Sequence, residues 1–228
     1  MRVNEMNSGV TSSHYSDTKG HDYFAWQNRY SARSGVINSR KFKGHLKSSD
    51  VVLDYGCGSG DLLNALDISK KIGIEVNPFA VKSAKEKDIG VFSDLSHLSD
   101  SSVDAAISNH ALEHVPYPLY SLMEIFRVLK TDGKFLCCIP VDDWRFQRNF
   151  KENEINNHLH TWTPQLIGNL LVESGFNYCD VSIKLIHHSW FPGTKFLWKR
   201  EKLFDGLCFL YSRITRKGKQ IMIVARKA

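Results

Sequence analysis

The sequence predicts an α/β protein built on a mostly parallel sheet with helices on both faces. Three observations carry that prediction. Short apolar runs alternate with amphipathic stretches through the middle of the chain. Each run is only about four to six residues long and is stopped by Gly, Asp, Asn or Pro, which suits buried strands better than helices. The connections between runs and amphipathic stretches are short, and strands alternating with helices over short links mean crossover units and a parallel sheet.

Each element has its own reason. Residues 1–20 are polar and rich in Ser and Gly, and are expected to form a mobile tail. From Tyr23 the aromatic-studded YFAWQNRYSARSG reads as a helix, within a helical segment assigned to 21–50. VVLD at 51–54 is a buried strand stopped by a glycine cluster, and Asp61 starts a helix. KIGIEV at 71–76 is the second strand. Asn77-Pro78 then opens a helix running to about Lys87, since Asn is a good cap and Pro suits the first turn. Gly90–Ser93 and Val103–Ser108 are the third and fourth strands. Residues 117–130 place Leu119, Leu122, Ile125, Phe126 and Leu129 on one helical face, Thr131-Asp132-Gly133 ends that helix, and KFLCCI at 134–139 is the fifth strand. Thr163-Pro164 caps a helix ending at Gly175, and residues 177–187 and 220–227 close the sheet. Between those closing strands, 195–214 carries Phe196, Leu203, Phe204, Leu207, Leu210, Tyr211 and Ile214 near helical spacing and reads as an insertion. The implied division is a core over 51–190, a basic helical insertion over 191–219, and a last core strand over 220–228.

Composition removes several classes. With 15 Gly and 6 Pro in 228 residues, 42% hydrophobic and 11% aromatic, the chain is neither collagen-like nor disordered throughout. No apolar run approaches the ~20 residues of a membrane span, and the first twenty residues lack a signal-peptide core. Five cysteines (57, 137, 138, 179, 208) form no CxxC pair and are odd in number. That argues against a disulfide framework or a cysteine zinc site, and for a cytoplasmic protein. Net charge is +6, yet residues 195–228 hold ten Lys or Arg against Glu201 and Asp205, so the other 194 residues sum to −2. Anionic partners are therefore expected at the C-terminal appendage.

The motif with chemistry in it follows the first strand: Asp54-Tyr55-Gly56-Cys57-Gly58-Ser59-Gly60, then a helix. Glycines let the backbone approach a ligand closely, and a helix start supplies unpaired N–H donors. A dinucleotide fingerprint places its third glycine one residue later, which disfavours a nicotinamide enzyme, and no Lys-Ser/Thr follows to make a P-loop. Glu75 ends the second strand, where a carboxylate can accept both hydroxyls of a ribose. Asp94 ends the third, where an adenine amino group can be bound. SNHALEHV follows the fourth.

Taken together, VLDYGCGSG, IEVN, Ser93-Asp94, NHALEHV and RVLKTDGKFLCCIP resemble class I S-adenosylmethionine-dependent methyltransferases, of the type 11/23 kind, in order across residues 50–140. The resemblance implies a Rossmann-like, seven-stranded sheet with its last strand antiparallel and S-adenosylmethionine lying across the strand tips. It implies that Asp54 and the turn of Gly56, Cys57, Gly58 and Gly60 hold the methionine portion. Glu75, Val76 and Asn77 would hold the ribose side, Asp94 and Leu95 the adenine. Asn109 and His110 would line the floor near the sulfonium. The aromatic helix of Tyr23, Trp26 and Tyr30 would be a lid over the cofactor or packing against the sheet edge. A weaker similarity of VDDWRFQRNF and NNHLHTWTPQLIGNLLVESGF to bacterial surface-polysaccharide methyltransferases suggests a small-molecule or glycan acceptor, with a sugar hydroxyl, in some cases lipid-linked, receiving the methyl.

For a hydroxyl acceptor a base within hydrogen-bond reach helps, and His is suited to neutral pH. His110 is the candidate. Some quinone methyltransferases place a metal near LEHV using a further carboxylate where this chain has His110, so no metal is expected, and Glu113 reads as a helix cap. Asp142, Asp143, Trp144 and Arg145 begin a loop, and His158, His160 and Trp162 end it. Asp142, Asp143, Arg145, His158, His160 and Trp162 are the expected acceptor residues, with a local structural network as the alternative. His187 and His188 read as structural. The basic segment 195–214 has three readings: a cap on the acceptor pocket, a pairing surface for a second copy, or a contact with an anionic membrane bearing a lipid-linked substrate. A nucleic-acid methyltransferase is the rival function, but the Asp/Asn-Pro-Pro-aromatic tetrad of N6-adenine and N4-cytosine enzymes is replaced by Asn109-His110-Ala111-Leu112. No nucleic-acid partner is expected. A methyltransferase-like binding module without turnover is the second rival, and the complete glycine turn with Glu75 argues against it.

Overall fold

The computed structural model describes residues 13–228 apart from 16, 30, 144, 146, 153, 190–196, 198 and 216. The expected roles of Tyr30, Trp144, Lys195 and Phe196, and the tail up to residue 12, lie outside the described residues. Seven strands form one sheet: β1 (Val51–Tyr55), β2 (Lys70–Ile74), β3 (Gly90–Phe92), β4 (Val103–Asn109), β5 (Leu129–Pro140), β6 (Val181–His187) and β7 (Lys219–Arg226). Their order is β3-β2-β1-β4-β5-β7-β6. β1 pairs in parallel with β2 and β4, and β4 with β5. β7 runs antiparallel between β5 and β6. This is the Rossmann-like α/β sheet the sequence predicts, with its final strand reversed.

Alternation along the strands buries both faces. On one face, Leu53, Phe135, Cys137 and Ile139 pack against Leu122, Ile125 and Val128 of α5 (Pro118–Val128) and Ile167 and Leu171 of α6 (Pro164–Glu173). On the other, Val52, Leu136 and Cys138 join Leu62 and Leu63 of α3 (Asp61–Asn64) and Ala84 of α4 (Pro78–Lys85). Neighbouring strand residues go to opposite cores because the side-chain period of a strand is two. Every helix that covers the sheet therefore reads as a one-sided apolar stripe.

Some boundaries differ from expectation for physical reasons. Two helices, α1 (Asp17–Asn28) and α2 (Ser31–Ser39), replace the single N-terminal helix, and α1 starts inside the stretch expected as tail. β5 begins directly after α5, and the Thr131-Asp132-Gly133 turn is a bulge within it. The register jumps from Val103↔Leu129 to Ala105↔Lys134, with Asp132 at φ 65°. The end of α5 is capped from far along the chain: Lys227 Nζ donates to the carbonyls of Phe126 (2.8 Å) and Leu129 (2.7 Å), a cation suited to the negative end of a helix. In the insertion, α7 (Glu201–Thr215) turns Phe204 and Cys208 onto Ile37 of α2, and Arg40 pairs with Glu201 at 3.0 Å. No described helix is long and apolar enough to cross a membrane.

Candidate active site

The glycine turn between β1 and α3 is built from left-handed backbone. Gly56 and Gly60 have φ of 78° and 77°. A Cβ at Gly56 would stand 2.4 Å from the Ala111 Cβ, and one at Gly60 2.4 Å from the Ile89 Cδ1. Neither position admits a larger residue without moving its neighbours. The amides of Gly56 and Cys57 donate to the Ile74 carbonyl at 2.9 and 3.1 Å, tying the turn to β2. Cys57 itself faces Gly73, where a Cβ would come 2.5 Å from its sulfur.

Glu75 follows β2 and clamps the same turn. Its Oε2 accepts the Gly58 N–H at 2.8 Å, and its Oε1 accepts those of Val76 and Asn77 at 2.9 and 2.8 Å. Burial raises its pKa, and the three amides pull the other way. Asn77 caps α4 through Phe79 N–H (3.0 Å) and donates its own amide to the Gly20 carbonyl of α1 at 2.9 Å. Asp94 caps the short 3-10 turn Leu95–His97 through the Ser96 N–H at 2.9 Å. Burial works against its ionisation, but the Ser96 bonds prevail and its pKa falls below the usual carboxylate range. Glu75, Val76, Asn77, Asp94 and Leu95 all line one cavity of about 620 Å³, with Tyr15 and Tyr23 over it. Gly60 lines neither cavity, so its work is to turn the chain.

A larger cavity of about 1110 Å³ adjoins it, and Tyr23, Gln27, Gly56, Gly58, His110 and His114 line both. Asp54 reaches the larger space from β1. It is 2% exposed, its Oδ1 has no hydrogen-bond partner, and burial pushes its pKa up to about 8. Asn109 accepts from Lys41 Nζ at 3.1 Å. His110 sits at φ 57°, a strained position for a side-chain-bearing residue, with its N–H on the Cys138 carbonyl at 2.8 Å. Its Nε2 meets the Gln220 amide nitrogen at 2.6 Å and its Nδ1 lies 3.5 Å from Glu113 Oε1. Burial, with help from Lys41 and neighbouring imidazoles, holds His110 well below the ordinary histidine pKa. Both ring nitrogens are thus already engaged, and the lowered pKa makes the ring a weaker base than a free imidazole.

The most unusual group is Glu113. It lies in the 3-10 turn Leu112–His114, is 0% exposed, and neither carboxylate oxygen has a hydrogen-bond partner. It caps no helix, contrary to the sequence expectation, since neither oxygen accepts a hydrogen bond, and it lies in the wall of the larger cavity. Burial pushes its pKa up to about 7. His114 Nε2 is 3.8 Å from Glu113 Oε1, and His114 Nδ1 meets the Tyr15 hydroxyl at 2.7 Å. Burial pulls His114 down to about 4. His158 Nδ1 meets Asp142 Oδ2 at 2.6 Å. Burial lowers the His158 pKa, but the Asp142 bond and charge outweigh it and leave it above the ordinary value.

Four of the expected acceptor residues are placed elsewhere, and Asp142 reaches the site only through His158. Asp143 and Arg145 pair with each other, Nε donating at 2.9 Å, and line neither cavity. Exposed as they are, they form a local ion pair worth little. Trp162 is 4% exposed and belongs to the core under β5 rather than a ring-stacking surface. His160 Nε2–H donates to the Val115 carbonyl at 2.9 Å, and the residue also lines neither cavity. Conversely, His188, read as structural, lines the larger cavity with its ring 5.8 Å from that of His110. Tyr15, Gln27, Lys41, Asn156 and Gln220 were not singled out by sequence. Only their contacts across the fold mark them.

Comparison with known proteins agrees with this arrangement. A family model described as a methyltransferase domain matches residues 46–175. An uncharacterized methyltransferase of Schizosaccharomyces pombe is 33% identical over 105 residues, 40% of each chain. A demethylmenaquinone methyltransferase of Symbiobacterium thermophilum is 28% identical over 109 residues, 41% of this chain and 43% of that one. The chain thus spans less than half the length of these curated relatives. A solved SAM-dependent methyltransferase of Archaeoglobus fulgidus superposes with a TM-score of 0.65 at 20% identity, over 90% of this chain and 99% of that one.

Proposed function

The chain belongs to the methyltransferase-domain family, the class I S-adenosylmethionine-dependent methyltransferases, and from that premise we propose that it methylates a hydroxyl of a small polar or glycan acceptor. One observation carries the reading: the cavity closed by Glu75 and Asp94 opens, across Gly56, Gly58 and His110, onto the larger cavity. Donor and acceptor spaces so arranged share a common wall where a reacting pair can be aligned, and alignment is most of what such a transfer needs.

The residues fit the cofactor. The smaller cavity offers Glu75 for ribose hydroxyls and Asp94 for the adenine amino group, while the unpartnered Oδ1 of Asp54 suits an ammonium beside the glycine turn. Bound there, S-adenosylmethionine supplies a methyl carbon made electrophilic by its sulfonium. Tyr23 and Gln27 of α1 line both spaces. Methylation of an acceptor hydroxyl there would leave one proton for this chain's residues to take up. Because the His110 Nε2 is held by Gln220, the part of this residue is to position. Proton removal falls to the buried Glu113, His114 and His158 cluster, which faces the larger cavity. Asn156, His188 and Arg33 add polar lining that suits an acceptor rich in hydroxyls.

Calorimetric titration with S-adenosylmethionine and S-adenosylhomocysteine tests the donor half, and micromolar binding is expected. Absence of binding to folded protein overturns it. Transfer of labelled methyl to sugar nucleotides or lipid-linked glycans is the expected acceptor result. Transfer only to a quinol or to RNA replaces the acceptor half.

A further inference from the structure

We infer that Glu113, His114 and His158 form a binding site for one first-row divalent cation on the acceptor side of the cavity. This deepens the acceptor reading above, since it assigns the work of that cluster to a metal ion, but binding itself is measurable without any acceptor.

Three observations point to it. One carboxylate oxygen of Glu113 and one ring nitrogen from each histidine lie within 4.8 Å of one another. Glu113 is fully buried in the wall of the cavity and has no hydrogen-bond partner for either oxygen. A buried carboxylate with nothing to satisfy it is costly unless something in its surroundings compensates. The third observation is the outer layer. His158 presents Nδ1 to the Asp142 carboxylate at 2.6 Å, and His114 presents Nδ1 to the Tyr15 hydroxyl at 2.7 Å. Ligating histidines are held in this way, one nitrogen on an outer carboxylate or hydroxyl and the other on the metal.

The donor set also selects the ion. Two imidazoles and one carboxylate suit zinc, iron, cobalt or manganese, whereas magnesium and calcium call for oxygen ligands throughout. Bonds of about 2.0–2.2 Å would draw the three atoms together from their present spacing, a contraction within reach of side-chain rotation. All three residues line the larger cavity, so the remaining coordination positions face the acceptor, as in sites that keep positions open for substrate. The cluster differs from the expectation of no metal because His158, on a distant loop, supplies the ligand that the sequence spacing did not show.

The full chain, stripped with EDTA and dialysed, is titrated with Co²⁺ and with Zn²⁺. The expected result is one cation per chain at about micromolar Kd or tighter, with visible ligand-field bands for cobalt. Glu113→Gln and His158→Asn should each weaken binding at least about 100-fold, and Asp142→Asn and Tyr15→Phe about 10- to 100-fold. His45→Asn, on the exposed surface, should leave it unchanged. Failure of the wild-type chain to take up either ion overturns the inference, as does unaltered affinity in the ligand variants. If Glu113→Gln does not fold by circular dichroism, the half-buried His158→Asn gives the deciding measurement. A chain that binds S-adenosylmethionine but no cation loses this site and keeps the methyltransferase reading.

Discussion

Glu75 and Glu113 both stand just past the C-terminal ends of sheet strands, and the fold treats them in opposite ways. Glu75 accepts three backbone N–H groups, all local to the glycine turn and the start of α4. Glu113 accepts none. The difference separates the two halves of the site. On the Glu75 side, polar groups are completed by the chain itself, so the cradle is rigid before anything binds. On the Glu113 side, the chain pairs one nitrogen of each neighbouring histidine with Tyr15, Asp142 or Gln220 and leaves the carboxylate itself without a hydrogen bond.

The comparison can be broken most directly at Glu75. Glu75→Ala strands three amides, each costing about 1–3 kcal/mol when left unpaired, and removes the carboxylate proposed to hold the ribose. Cofactor affinity should fall at least about 100-fold and the melting temperature by several degrees; normal melting and normal binding would show that the clamp is dispensable. A pH series sharpens it next, through Asp54. Folding raises this carboxyl from 3.8 to about 8, so the folded chain holds a proton that the unfolded chain releases across that window. Its contribution is therefore complete below pH 3.8 and is lost as pH rises to about 8. Thermal melts should show stability declining over that range, with Asp54→Asn flattening the slope. Saturating cofactor should also flatten it, since an ammonium near Asp54 favours the ionised form. The smallest effect belongs to Glu113→Leu. In chelator-treated protein, replacing an unpartnered buried carboxylate by an apolar side chain should stabilise by about 1 kcal/mol, raising the melting temperature roughly 2–4 °C. A loss of stability there would mean that Glu113 is better satisfied than its contacts indicate.

What the sequence revealed was what is local. The glycine turn, Asn77 as a cap and Asp94 at a strand tip depend on neighbours a few residues away, whereas the reversed closing strand, paired with residues 134–140 of β5 far back in the chain, was implied only by the family resemblance. Glu75 was legible as an acidic strand tip, though its grip on Gly58 was not. The acceptor side depends on partners far apart: Tyr15 with His114 across 99 residues, and Gln220 with His110 across 110. No periodicity encodes such pairs. Trp162 shows the converse difficulty. Beside His160 and a loop it looks like a stacking surface, and only the packing of β5 and α6 around it shows that it is core. Asp143 and Arg145 likewise form a charged pair next to a pocket without entering it.

The position of β7 has a consequence for how the protein is made. Emerging from the ribosome in order, β1 to β5 can pair as they appear, since each finds its neighbour already synthesised. β6 cannot: its only partner is β7, which follows α7. Until residues 219–226 arrive and slide between β5 and β6, β5 presents an open edge and the Gln220 that holds His110 does not yet exist. A nascent chain therefore carries a formed glycine cradle well before it carries a finished acceptor wall. The glycine turn and the Glu75 clamp can form during translation, while the wall that holds His110 must wait for the last strand.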